Sequence, residues 1–169
     1  PRGIVFADWG ELAPLPELPV APVRAFFFDD SHTTEIDDAF SVRELPGGRT
    51  SVGIHIAAPA VSILHGDAYD AVARSRLSTV YMPGRKITML PDDVVRAFSL
   101  AAGEPRPALW LYNELDEQGA PVSHRTAVER VTVAENLALD KVGEAFANPL
   151  LSPADPPRTA EMCVLWKLV

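Results

Sequence analysis

The chain has 169 residues, 47% of them hydrophobic and 22% charged, with a formal net charge of −8. That is enough apolar material for a domain with a real core, and it excludes wholesale disorder and collagen-like repeats. The negative balance argues against a non-specific nucleic-acid binder with a basic face, unless the acids are gathered where divalent cations neutralise them. A single cysteine, Cys163, excludes an internal disulfide and a multi-cysteine zinc site, and makes the cytoplasm the expected location. No apolar run approaches the ~18–20 residues of a membrane-spanning helix, and no signal peptide is legible.

In chain order, residues 12–23 hold Pro14, Pro16, Pro19 and Pro22 and read as an extended connector, neither helix nor central strand. Residues 25–28, Ala-Phe-Phe-Phe, form a short apolar run of the kind that makes a buried strand. Residues 39–43 and 50–56 flank Pro46-Gly47-Gly48 and predict a β-hairpin. Asp67 is a good N-cap for a helix running to about Leu77, with Ala68, Ala71, Val72 and Ser75 on one stripe. A mixed stretch follows over 81–91. Residues 108–115 and 121–133 predict a second hairpin about Glu117-Gln118-Gly119, and 134–146 predict a helix. A proline-rich loop over 148–157 and a terminal helix from 161 complete the chain. The fold class is α+β: a mostly antiparallel sheet of hairpins with helices packed against it.

The informative segment is Asp29-Asp30-Ser31-His32-Thr33-Thr34-Glu35-Ile36-Asp37-Asp38, in which five of ten residues are carboxylates and none is Lys or Arg. Crowded carboxylates repel, and each has its pKa raised unless a cation neutralises the group. Oxygen ligands suit Mg²⁺ or Mn²⁺; zinc favours His or Cys, and only His32 is near. If the last stretch is extended, Glu35 and Asp37 point one way and Asp38 the other, with Asp29 returning from the strand end. Such a layout suits two ions in phosphodiester hydrolysis. The competing reading is an exposed acidic loop, which is what most charge runs are. The spacing of an EF-hand calcium loop is absent.

Phe28-Asp29 through Asp37-Asp38-Ala39-Phe40-Ser41-Val42 resembles the signature of the RNase II/RNB exoribonucleases. Val52-Gly53-Ile54-His55-Ile56-Ala57 and Ser78-Thr79-Val80-Tyr81-Met82-Pro83-Gly84-Arg85-Lys86-Ile87-Thr88-Met89-Leu90-Pro91 are similar to two further motifs of that family, in the same order. Phe98-Ser99-Leu100 stands where the family usually has Cys-Ser-Leu. The resemblance implies a hydrolytic 3′-to-5′ exoribonuclease that uses Mg²⁺, or Mn²⁺ as a substitute, on single-stranded RNA and releases nucleoside 5′-monophosphates. By position it implies metal ligation by Asp29, Glu35, Asp37 and Asp38, catalytic roles for Asp37 and Asp38, and base stacking by Tyr81.

It also implies that residues 25–169 are the N-terminal portion of an RNB catalytic domain, with 1–24 a connector. The expected partners are single-stranded RNA, the remainder of that domain and flanking OB/S1-type domains, and the isolated segment is expected to be inactive. The sequence departs from the family pattern at Glu35, commonly Asp, and after Ala57, where Ala58-Pro59-Ala60-Val61 replaces Asp-Val-Ser-His. These departures motivate an alternative, a catalytically degenerate RNA- or protein-binding module. A metal-dependent phosphoesterase acting on small nucleotides is a third reading. His55, inside an apolar strand, is expected to be structural, and His65, near a turn, exposed.

Overall fold

The structure, a computed structural model, describes residues 10–30, 33–137 and 159–166. The elements run β1 (Val20–Phe27), β2 (Asp38–Glu44), β3 (Thr50–Ala57), a single 3₁₀ turn (Pro59–Val61), α1 (Ala68–Arg76), β4 (Val80–Met82), β5 (Arg85–Ile87), α2 (Asp92–Phe98), β6 (Arg106–Leu115), β7 (Pro121–Asn136) and α3 (Thr159–Trp166). Five of them close into a barrel in the order β1-β2-β3-β6-β7, and β4 and β5 form a separate two-stranded sheet. Among the described residues no helix is long and apolar enough to cross a membrane.

Both expected hairpins are present, as β2–β3 and β6–β7, and their pairing is antiparallel, as is that of β3 with β6. The sheet differs from a stack of hairpins in its closure: β1 runs parallel to the far half of β7, from Val20 opposite Arg130 to Phe27 opposite Asn136. Two further expectations fail at this seam. Residues 20–23 are strand, not connector, and Pro22 is tolerated because the pairing shifts register between Val20 and Arg24, where no ladder N–H is demanded of it. Residues 134–136 continue β7 instead of beginning a helix, since the parallel partner extends the ladder to Asn136. Residues 138–146 of that expected helix, the loop over 148–157 and His32 lie outside the described residues.

The barrel is too narrow to be anything but filled, and its filling explains its sequence. Inward positions of β2, β3 and β6 align across the sheet: Ala39 opposite His55 opposite Trp110, and Ser41 opposite Gly53 opposite Tyr112. Small residues thus face large rings. The His55 and Trp110 rings meet edge to face at 4.2 Å, and Trp110 and Tyr112 at 4.5 Å. His55 Nε2 lies 2.9 Å from Ser41 Oγ. A Cβ on Gly53 would fall 2.6 Å from that same Ser41 Oγ and 2.8 Å from His55 Cε1, so only glycine leaves room for the pair. His55 is therefore structural, and His65 is exposed.

A second cluster lies beside the barrel, where Tyr69 and Val94 pack with Leu90 and Phe98. α1 is capped by Asp67, whose side chain accepts from the Asp70 N–H, and it ends at Leu77 in the left-handed conformation. Of the expected stripe only Val72 is buried, with Ala68, Ala71 and Ser75 exposed; Tyr69 is the other buried residue, and its ring, with more area to remove from water, sets the helix rotation. The mixed stretch after it resolves into β4, β5 and α2, which composition did not separate. On the outer face, α3 brings Met162 and Leu165 against Phe26, Phe28 and Phe40.

One contact bridges the barrel and the second cluster. Ile36, buried between two acidic neighbours, donates its N–H to Ser99 Oγ (2.9 Å) and accepts from the Leu100 N–H (2.9 Å).

Two outcomes follow for stability. Ser99→Ala leaves the buried Ile36 N–H without a partner, and should lower unfolding free energy by about 1–3 kcal/mol in a denaturant titration, a loss that Ser99→Thr should reduce. Burial holds the His55 imidazole down from 6.5 to about 4. The unfolded chain therefore binds the proton first, so this contribution is complete above pH 6.5 and is lost as pH falls towards 4. Thermal midpoints measured across that window should fall with pH more steeply than those of His55→Gln.

Candidate functional site

The acidic segment connects the end of β1 to the start of β2, and its two ends are fixed differently. At the first end, the Leu137 N–H donates to Phe27 O at 2.8 Å, continuing the barrel seam. The Asp29 N–H then donates to Asn136 Oδ1 (3.3 Å), while Asp29 Oδ1 accepts from the Asp30 N–H (2.7 Å) and from Thr33 Oγ1 (2.6 Å). At the other end, the Ala57 N–H donates to Asp37 O (2.8 Å), and Asp38 opens the β2 ladder opposite Ile56.

Between these ends the Ile36 anchor decides where the charges go. With Ile36 turned into the core, Glu35 and Asp37 both line one cleft of about 470 Å³. Asp38 starts the strand with its exposed side chain on the opposite side from the buried Ala39. Glu35 and Asp37 thus point one way and Asp38 the other, as expected, although residues 33–37 are not strand and Asp29 does not return to line the cleft. The apolar walls of the cleft include Ile56, Met89 and Phe98, and Tyr81 stands at its rim, 73% exposed. That exposure excludes an ordinary half-buried tyrosine.

The electrostatics follow from the crowding. Desolvation, then the carboxylates of Glu35 and Asp38, raise the Asp37 carboxyl above the ordinary value, against a smaller opposing pull from Lys86. Both carboxylate oxygens of Glu35 have partners: its Oε2 accepts from Lys86 Nζ at 2.8 Å and its Oε1 from Thr79 Oγ1 at 3.4 Å. Glu35, Asp37 and Asp38 are thus brought together as interacting charges, while Asp29 is held at the far end by its own loop. Among the described residues no three or more Asp, Glu, His or Cys side chains converge as a ready ligand set. Chemically the donors are all oxygen, and a hard divalent cation would relieve the repulsion that raises Asp37, so the residue types fit Mg²⁺ or Mn²⁺.

Sequence reasoning assigned no role to Ser99, Thr79 or Lys86. Ser99 lay in a stretch already noted for its similarity to Cys-Ser-Leu, which was the available signal. Nothing local marks Lys86 as the partner of a residue so far away in the chain.

Known proteins share this arrangement of sequence. The chain is 41% identical over 92 residues to DIS3-like exonuclease 2 of Arabidopsis thaliana, and equally to the inactive exonuclease DIS3L2 of that plant; the match spans 54% of this chain and 9% of theirs. Exoribonuclease 2 of Vibrio cholerae is 43% identical over 82 residues, 48% of this chain and 12% of that protein. The chain thus spans about a tenth of the length of these relatives. In fold it is similar to Mycoplasma genitalium RNase R, solved with ribose-methylated single-stranded RNA, at a TM-score of 0.77 and 19% identity over 89% of this chain and 24% of that one. The RNB domain family model matches residues 21–165, most of the described barrel, cleft and hairpin included, and the chain belongs to the RNB family.

Proposed function

We propose that the protein containing this chain is a hydrolytic 3′-to-5′ exoribonuclease that acts on single-stranded RNA and releases nucleoside 5′-monophosphates. The observation that supports it best is the shared cleft: Glu35 and Asp37 on one wall, an exposed aromatic ring at the rim, and apolar sides between. Of the expected ligands Asp29, Glu35, Asp37 and Asp38, Glu35 and Asp37 share the cleft, and Mg²⁺ or Mn²⁺ held there would supply charge neutralisation at the phosphate and an activated water. Asp37 would orient the reacting groups from within the cleft, and Asp38, whose side chain leaves on the other side, would act on it through its charge. Tyr81 offers a flat surface to a base, and stacking requires no particular base, which suits a sequence-tolerant degrader. Ile56, Met89 and Phe98 limit the water that reaches the cleft.

A second reading has its own support. Lys86 already neutralises Glu35, and one relative matched at 41% identity is an inactive exonuclease, so a module that binds RNA without cutting it is the alternative.

The test uses the full-length protein that carries this chain and a labelled single-stranded oligonucleotide. Degradation in Mg²⁺ or Mn²⁺ should stop on addition of EDTA. Asp37→Asn should lower turnover by at least about a hundredfold, ~2.7 kcal/mol on the barrier, while oligonucleotide affinity stays near that of the unaltered protein. Cleavage that persists in chelator sinks the metal reading. Tight binding with no turnover in either cation favours the second one.

A further inference from the structure

The β4–β5 hairpin holds Tyr81, yet it belongs to no larger sheet. Its strands have three residues each, and a hairpin that short is not stable by itself. Something must fix it to the body of the protein if Tyr81 is to stand at a defined place on the cleft rim. Packing accounts for the hairpin's C-terminal side, where Met89 and Leu90 join the second cluster. A second attachment is polar, and it centres on one carboxylate.

Both oxygens of Glu35 are taken by residues of this segment: Oε2 by Lys86 Nζ and Oε1 by Thr79 Oγ1. Thr79 Oγ1 in turn accepts from the Met89 N–H at 3.1 Å, which pulls together the two chain segments that enter and leave the hairpin. Tyr81 and Lys86 are directly opposed in the β4–β5 register, so their side chains leave the same face. The ion pair has side-chain exposures of 29% for Lys86 and 10% for Glu35; the Arg49–Glu114 pair, by contrast, is exposed at 45% and 38%. Exposed pairs contribute little to stability, so this one is the better candidate for a structural fastening. Glu35, the acid that departs from the usual Asp, is the one whose carboxylate reaches the hairpin.

We infer that Lys86 is a positioning residue: with Thr79 it clamps the β4–β5 hairpin to Glu35, and so sets where the Tyr81 ring stands relative to the acidic loop. The inference rests on the RNA reading only for what Tyr81 then stacks upon; the clamp itself is a property of the chain. A longer Glu in place of Asp is explained by reach, since its carboxylate must meet the hairpin.

Two measurements decide it. Hydrogen exchange on the full-length protein that carries this chain should show amides of residues 80–87 exchanging about tenfold faster in Lys86→Met, and near the original rate in Lys86→Arg, with β3 and β6 unaffected. Unchanged exchange in Lys86→Met overturns the clamp. The second measurement is the affinity for a fluorescein-labelled oligoadenylate in EDTA, so that nothing is cleaved. Tyr81→Ala and Lys86→Met should each weaken binding about tenfold, and the double variant should be no weaker than either alone. Additive losses would mean that Lys86 acts through its own charge on the phosphates, and the positioning role falls. If the unaltered full-length protein does not bind the oligonucleotide, the RNA reading fails, and the exchange rates alone decide the clamp.

Discussion

Burial of Ile36 in the middle of a run of carboxylates is the constraint on which the site depends. Removing an aliphatic side chain of this size from water contributes about 1.5–3 kcal/mol, and each of its two backbone hydrogen bonds about 1 kcal/mol more. Repulsion between two carboxylates reaches about 4 kcal/mol at 4 Å in surroundings of moderate polarity. The two effects are of the same order. The anchor can therefore hold acids on either side of Ile36, and the Asp37 carboxyl is raised there first by desolvation and then by the charges of Glu35 and Asp38. Because the anchor's partners are Ser99 and Leu100, the cleft wall and the acidic loop are fixed by the same contact.

That balance gives the Lys86 ammonium its place. The chain carries 15 Lys and Arg against 23 Asp and Glu, and one of these cations reaches Glu35 from the β4–β5 hairpin. A local positive charge relieves the crowding without changing the loop, and it ties the relief to a second element. Electrostatics and geometry are in this way coupled: what lowers the repulsion also fastens the aromatic rim.

Much of this was legible in the sequence wherever the cause was local. The two hairpins follow from alternation and turn residues, α1 from the Asp67 cap, and the opposed directions of Asp37 and Asp38 from strand period. The acidic segment and Tyr81 stood out through their similarity to a known family, and the cleft places Glu35, Asp37 and Tyr81 together. What was not legible depends on distant pairing. The parallel seam joins residues more than a hundred positions apart, and it alone turns 134–136 from helix to strand and makes room for Pro22. The hydroxyl of Ser99 and the ammonium of Lys86 find their partners 63 and 51 positions away, a separation that no window of sequence reveals.

The barrel seam also bears on how copies of this chain meet one another. An open sheet offers its outer strand as a template on which a second backbone can add. Here the parallel ladder commits residues 130–136 of β7 to β1, and the part of β7 ahead of it displays His124, Arg125 and Glu129, which discourage such addition. The free edges of β4 and β5 are three residues long and charged at Arg85 and Lys86. Yet Ile56, Leu109 and Val128 stand in one exposed row across three strands. Self-association at high concentration therefore has a face-to-face route through side chains and a poor one through the backbone, so aggregates formed from the folded chain should be amorphous and not fibrillar.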